Sequence, residues 1–199
     1  MPQRRLLLAT NNPGKVREFR RLLAGAPYEV VTPAEAGISL DVEETGSSYA
    51  ENASLKATAF ARAGECLALA DDSGIEVDAL DGGPGMYSAR FGGPGLDDRG
   101  RTALLLEKLL DVPEPGRGAR YRAVVALAWP GGDVQLFEGV QEGAIGRAPR
   151  GERGFGYDPV FVIADGRVQA EISDEEKDAI SHRGKAVRAA VAWLAEHCP

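Results

Sequence analysis

The apolar residues of this chain come in short runs that stop at polar turns, and these runs alternate with segments of helical period. Leu6-Leu7-Leu8-Ala9 is one such run, and Cys66-Leu67-Ala68-Leu69-Ala70 is another. Each is strand-sized, and none approaches the roughly 20 residues that cross a bilayer. Between them, Val16, Phe19, Leu22 and Leu23 recur at helical spacing and predict a helix over Lys15 to Ala24, ending at Gly25. Tyr28 to Val31 reads as a strand, Ser47 to Ala63 as an alanine-rich helix closing at Gly64, and Arg101 to Leu110 as another helix. Strands over Arg120–Trp129 and Val134–Glu142 join at Pro130-Gly131-Gly132-Asp133 as a hairpin, and Val160–Ile163 is a further strand. Ser173 and Glu176 form a capping-box pattern that opens a helix; that helix is expected to break at Gly184 before a last one. The alternation with one hairpin predicts an α/β protein with a mixed sheet.

At 199 residues the chain suits a single domain spanning 1–199, with no repeat or linker to divide it. The short apolar run behind Met1–Arg5 is too brief for a secretory signal core, so the expected location is cytoplasmic. A net charge of −7 argues against general affinity for nucleic acid, which needs a basic surface. A small polyphosphate is still admissible if a few cations and a divalent metal are focused in one cleft. The two cysteines and two histidines are isolated, so any metal should be a hard cation held by carboxylates.

The turn after the first strand, Thr10-Asn11-Asn12-Pro13-Gly14-Lys15, admits two readings. It can be a capped helix start, with Thr or Asn as cap and Pro13 near the first position. It can also bind an anion, since helix N-termini favour negative charge and Lys15 in the first turn opposes the macrodipole. It is not a Walker loop: Ala9 stands where the first glycine would be, and Val16 follows the lysine.

Asp71 and Asp72 end an apolar run, here expected to stop at Asp71-Asp72-Ser73-Gly74 before a short strand continues toward Leu80. Strand geometry sends neighbouring side chains to opposite faces, so one can serve a cleft while the other contacts the backbone or a helix. Glu43 and Glu44 form a second acidic pair, either a solvated turn or a source of one metal ligand. No Ser/His/Asp or Cys/His arrangement competes for nucleophilic catalysis. Gly154 and Gly156 flank Phe155; Phe155 or Tyr157 can stack on a base, or these aromatics can plug the core before the Val160 strand.

Six segments together resemble the inosine/xanthosine triphosphate pyrophosphatase family: LATNNPGKVREF, EETGSSYAENASLKA, ADDSGIEVDAL, GGPGMYSARF, GFGYDPVF and EKDAISHRGKA. The resemblance runs from Leu6 to about Leu194. It implies an elongated mixed sheet flanked by helices, two lobes with a substrate cleft between them, and a homodimer. It implies Mg²⁺-dependent hydrolysis of ITP, dITP or XTP to the monophosphate and pyrophosphate, which cleanses the nucleotide pool. Carried onto this chain, Thr10, Asn11, Asn12, Pro13, Gly14 and Lys15 would bind the triphosphate. Asp72 would be the catalytic carboxylate and a metal ligand, and Glu43 the second ligand. Ser73, Phe155, Gly156, Tyr157, Asp158, Lys177, His182 and Arg183 would complete the substrate site, with Lys56 a further phosphate contact. His182 and Arg183 are expected to leave their helix at the Gly184 break and meet the 6-keto group of the purine. Two other readings remain: a Maf-like pyrophosphatase of modified pyrimidine or methylated nucleotides, and a nucleotide sensor without turnover.

Overall fold

The computed structural model describes residues 4–198. The chain runs β1 (Arg4–Leu8), α1 (Pro13–Leu22), β2 (Tyr28–Val31), α2 (Tyr49–Gly64), β3 (Leu67–Val77), β4 (Pro84–Gly85) and α3 (Asp98–Lys108). It continues through β5 (Gly118–Ala128), β6 (Val134–Ile145), β7 (Phe161–Val162), α4 (Asp174–Ile180) and α5 (His182–His197). The strands form one sheet in the order β2-β1-β3-β5-β6-β7, with β4 alongside β3. β1 pairs parallel with both β2 and β3, whereas β4 and β7 pair antiparallel with β3 and β6. The sheet is therefore mixed and flanked by helices.

The backbone divides into two compact units, each assembled from separate stretches. The first takes the chain up to Asp72, Ala123–Gly139 and the chain from Arg183 onward. Its core gathers Leu6 and Leu8 of β1, Phe19 of α1, Leu69 of β3, Leu127 of β5 and Val187 and Leu194 of α5. α1 and α5 thus bury their apolar stripes on strands that carry alternate side chains toward them. The second unit takes Ser73–Arg122 and Val140–His182. Its core gathers Ile75, Leu105, Leu109, Tyr121, Val160 and Phe161.

Two expectations need correction. β3 does not stop at Asp71: it continues unbroken through Asp72, Ser73 and Gly74 to Val77. The carboxylates find cationic or amide partners to either side of the strand, so they do not terminate it, and Ile75 and Glu76 pair onward with β4. The helix break lies at Ser181, not Gly184. Ser181 is extended (φ −67°, ψ 156°) and its N–H still donates to the Lys177 carbonyl. Gly184 sits buried inside the first turn of α5. Serine favours helix starts, so the junction falls where the new helix begins.

Candidate functional site

The turn before α1 is built as a capped helix start. The Asn12 side-chain oxygen accepts from the N–H groups of Gly14 (2.9 Å) and Lys15 (3.1 Å), and Pro13 takes the first helical position. Thr10 Oγ1 in turn accepts from the Asn12 N–H at 3.2 Å. The capping reading of this turn is thus present, and two N–H groups that a phosphate could use are already engaged. Asn11, Asn12 and Pro13 are exposed, and Gly14 is buried. Lys15 turns inward, its ammonium 2.9 Å from Asp71 Oδ1.

Asp71 is completely enclosed and collects two cations. Arg183 grips Asp71 Oδ2 through Nε (3.1 Å) and Nη2 (3.0 Å), and its Nη1 donates to the buried Glu18. The guanidinium also lies 5.8 Å from the Phe19 ring centroid. Burial alone would raise the Asp71 pKa, but Lys15, Arg183 and Lys56 outweigh it and hold the carboxyl well below the usual range. Lys15 shifts the other way: burial lowers its pKa further than Asp71 can restore it. Arg183 therefore does not emerge from a helix end toward a ligand; it is a buried strut whose partners stand on β3 and α1.

Asp72 faces a different environment. Asn52 Nδ2 of α2 donates to Asp72 Oδ2 at 3.2 Å, and the Lys56 ammonium stands 3.6 Å from Oδ1. The same ammonium is held at 2.6 Å by Glu44. Burial raises the Asp72 pKa, Lys56 pulls it down and Glu44 pushes it back up, so the net shift is upward. Burial works against the Lys56 charge too, yet Asp71, Asp72 and Glu44 together carry its pKa above the ordinary lysine value. Glu44, not Glu43, is the member of the acidic pair that shares a partner with Asp72; Glu43 is exposed.

This donor set fits a hard divalent cation. It consists of two carboxylates sharing one ammonium, and Mg²⁺ is commonly held by one or two carboxylates with water and substrate phosphates. Among the described residues, no group of three or more His, Cys, Asp or Glu side chains forms an all-protein cage.

In the second unit the centre is Asp158, buried near the start of β7. Its Oδ2 accepts from Lys177 Nζ (2.6 Å) and from the Phe155 N–H (2.9 Å), and its Oδ1 from the Tyr121 hydroxyl (3.3 Å). Gly154, at φ +77°, allows this loop: a Cβ there would collide with the Asp158 carboxylate. The Gly156 N–H donates to Asp98 at 2.9 Å. Lys177 also lies 5.0 Å from the Phe155 ring centroid, and Phe155 is half-buried.

Tyr157 belongs to the core, its hydroxyl donating to the Ser88 carbonyl at 2.8 Å and its pKa raised first by burial. Of the two aromatics, Phe155 is the less buried. The His182 ring is buried and stacks on Tyr121, with centroids 4.7 Å apart and planes 9° apart. Ser73 is half-buried on β3.

Glu18 and Asn52, which bond to Arg183 and Asp72, have no assignment in the sequence expectation, while Asp71 is the aspartate of the pair that turns to neighbouring helices. Asn52 and Lys56 are four apart in α2 and share a helix face, as do Lys15 and Glu18 three apart in α1. That spacing was the available signal.

The profile of the Ham1 family matches residues 6–193. The chain is 52% identical over 190 residues to a dITP/XTP pyrophosphatase of Symbiobacterium thermophilum, covering 94% of this chain and 93% of the relative. It is 43% identical over 183 residues to the dITP/XTP pyrophosphatase of Bacillus subtilis, covering 92% of each. Among solved structures, a HAM1 protein from Coxiella burnetii superposes with a TM-score of 0.87 at 38% identity, over 97% of this chain and 99% of that one. With a matching profile over almost its whole length, close relatives and a shared fold, the chain belongs to the Ham1 family.

Proposed function

We propose that this chain hydrolyses non-standard purine nucleoside triphosphates (dITP, ITP and XTP) to the monophosphate and pyrophosphate. The observation that carries this reading is the buried Asp72 carboxylate, raised in pKa and sharing a single ammonium with Glu44. Two carboxylates meeting at one ammonium are a donor set that a polyphosphate delivered with a divalent cation can use. The relatives' activity, on the same fold, gives the substrate class.

Asp72 and Glu44, with Glu43 on the same loop, would hold Mg²⁺, which when bound offsets phosphate charge and acidifies a coordinated water. Asp72 orients the attacking water and accepts its proton. Lys15 and Lys56 meet phosphate oxygens, with Thr10, Asn11, Asn12, Pro13 and Gly14 shaping the turn beside them. Cleavage of the α–β anhydride demands mainly such positioning and charge neutralisation. Phe155 offers a face to the purine, while Gly156, Asp158, Lys177 and His182 shape its polar edge. Donors aimed at O6 reject adenine, whose exocyclic amine would meet them donor to donor.

The location follows the substrate pool, the cytoplasm; no helix among the described residues is long and apolar enough to cross a membrane. We assign a homodimer, with exposed Leu55 and Leu136 in an apolar groove of the first unit as candidate contact surface.

The test is pyrophosphate release from ITP, dITP, XTP, ATP, dTTP and UTP, with Mg²⁺ and with chelator. Release from the first three only, abolished by chelator, is the expected result. Equal turnover of dTTP or UTP would overturn the purine assignment, and no release from any nucleotide would overturn the enzyme reading.

A further inference from the structure

Asn52 is fully buried in the first turns of α2, and both ends of its carboxamide are engaged. Its Oδ1 accepts from the Gly46 N–H at 2.8 Å, and its Nδ2 donates to Asp72 Oδ2 at 3.2 Å. The first bond fixes the orientation of the amide. A backbone N–H can donate only to the oxygen, so the nitrogen must point at Asp72. One side chain thereby joins the acidic loop, two residues beyond Glu44, to the carboxylate on β3.

The approach of the loop is tight. A Cβ on Gly46 would stand 2.6 Å from Glu51 Cβ and 2.7 Å from Asn52 Oδ1, so only glycine permits this contact. On its exposed side the loop is tied down separately: Ser47 donates through N (2.6 Å) and Oγ (2.9 Å) to Glu51, and Ser48 caps α2. The Asn52 bond is thus the buried attachment of a loop already secured at its outer edge.

We infer that Asn52 is a positioning residue: it fixes the spacing and rotamers of Asp72 and of the Glu44 loop, so that both carboxylates meet one cation. This rests on the reading of Asp72 and Glu44 given above. Groups that orient carboxylate ligands typically contribute 10–100-fold to metal affinity or activity.

Two variants separate the bonds. Asn52→Asp has the same shape and keeps an acceptor for Gly46 but loses the donor to Asp72; Asn52→Leu loses both. Three measurements apply: Gly46 amide hydrogen exchange, binding of Mn²⁺ alone without nucleotide, and kcat and KM for ITP. In Asn52→Leu, Gly46 exchange should accelerate at least about tenfold, Mn²⁺ binding should weaken about tenfold, and kcat should fall about 10–100-fold with KM within about threefold. In Asn52→Asp, Gly46 should exchange at the wild-type rate while kcat still falls about tenfold or more.

Wild-type Mn²⁺ affinity and kcat in both variants would overturn the inference, as would unchanged Gly46 exchange in Asn52→Leu. Should Asn52→Leu not fold, the kcat and KM of Asn52→Asp decide. If the wild-type protein releases no pyrophosphate, the functional reading falls, while Gly46 exchange and Mn²⁺ binding still decide the role of Asn52.

Discussion

Asp71 and Asp72 are consecutive residues of one strand, yet they occupy opposite electrostatic regimes. Asp71 points toward α1 and α5, where Lys15 and Arg183 both bear on it and hold it ionised. Asp72 points toward α2, where one ammonium is divided between it and Glu44 and its pKa is raised. The alternation of a β-strand turns two chemically identical neighbours into one carboxylate held ionised by two cations and one whose pKa is raised. A carboxylate perturbed by desolvation beside a specific charged partner is a functional-site candidate.

Substituting each carboxylate in turn breaks this contrast most directly. Asp72→Asn should lower kcat by about 10³-fold, within the range for loss of a general base, and leave unfolding by urea unchanged or slightly harder. Burial already disfavours the Asp72 charge, so removing that charge relieves a cost. An Asp72→Asn protein with kcat within tenfold of wild type would place the chemistry elsewhere.

On the other face the effect should be on stability. Arg183→Leu leaves Asp71 and Glu18 buried with one cation fewer and should cost about 3–5 kcal/mol in urea unfolding. The pH dependence carries the same signature. Because Asp71 is depressed in the folded state, its contribution is complete above the ordinary carboxylate pKa of 3.8 and is lost as pH falls toward the folded value. Asp71→Asn should therefore be destabilised at neutral pH and show a flatter loss of stability on acidification in that window. A destabilisation that persists undiminished to the lowest accessible pH would contradict it.

Lys15 tests the border between the two regimes. It is bound to Asp71, yet burial keeps its ammonium more easily lost than an ordinary lysine's. Lys15→Ala should raise KM for ITP about tenfold, the loss of one partly buried charge contact of 1–2 kcal/mol, while Arg183 still holds Asp71 and the fold. A normal KM would remove Lys15 from phosphate binding and leave it a purely structural partner of Asp71.

Local features were the legible ones. The strand at Tyr28–Val31 and the capping box of Ser173 and Glu176 appear where the residues alone put them, because each is decided within a few positions of the chain. The residues of the turn before α1 suit both a cap and an anion site, and its capping bonds are likewise set within three residues. Arg183 was not legible in the same way. Its partners Asp71 and Glu18 lie 112 and 165 residues away, so its role depends on tertiary packing that no local pattern encodes. The continuation of β3 through four polar or small residues was hidden for the same reason, since partners from α1, α2 and α5 satisfy its carboxylates. Asn52 falls between these cases: four positions before Lys56, it shares that helix face, a local signal absent from the sequence reading, and only the fold supplies Gly46 and Asp72 at its two ends.

The smallest expected effect lies in the second unit, where Phe155 and Tyr157 repeat the theme of near neighbours with different duties. Tyr157 is buried and bonded to the Ser88 carbonyl; Phe155 is half-buried beneath Lys177. Tyr157→Phe removes one buried hydrogen bond and should cost about 1 kcal/mol of stability with KM for ITP unchanged. Phe155→Ala removes a ring that packs less completely, so its effect should appear in KM rather than in unfolding, raised about fivefold for stacking worth about 1 kcal/mol. The two measurements are read together. A KM that rises in Tyr157→Phe and stays put in Phe155→Ala would exchange their roles and move the base contact to the buried ring, which would have to leave the core to make it.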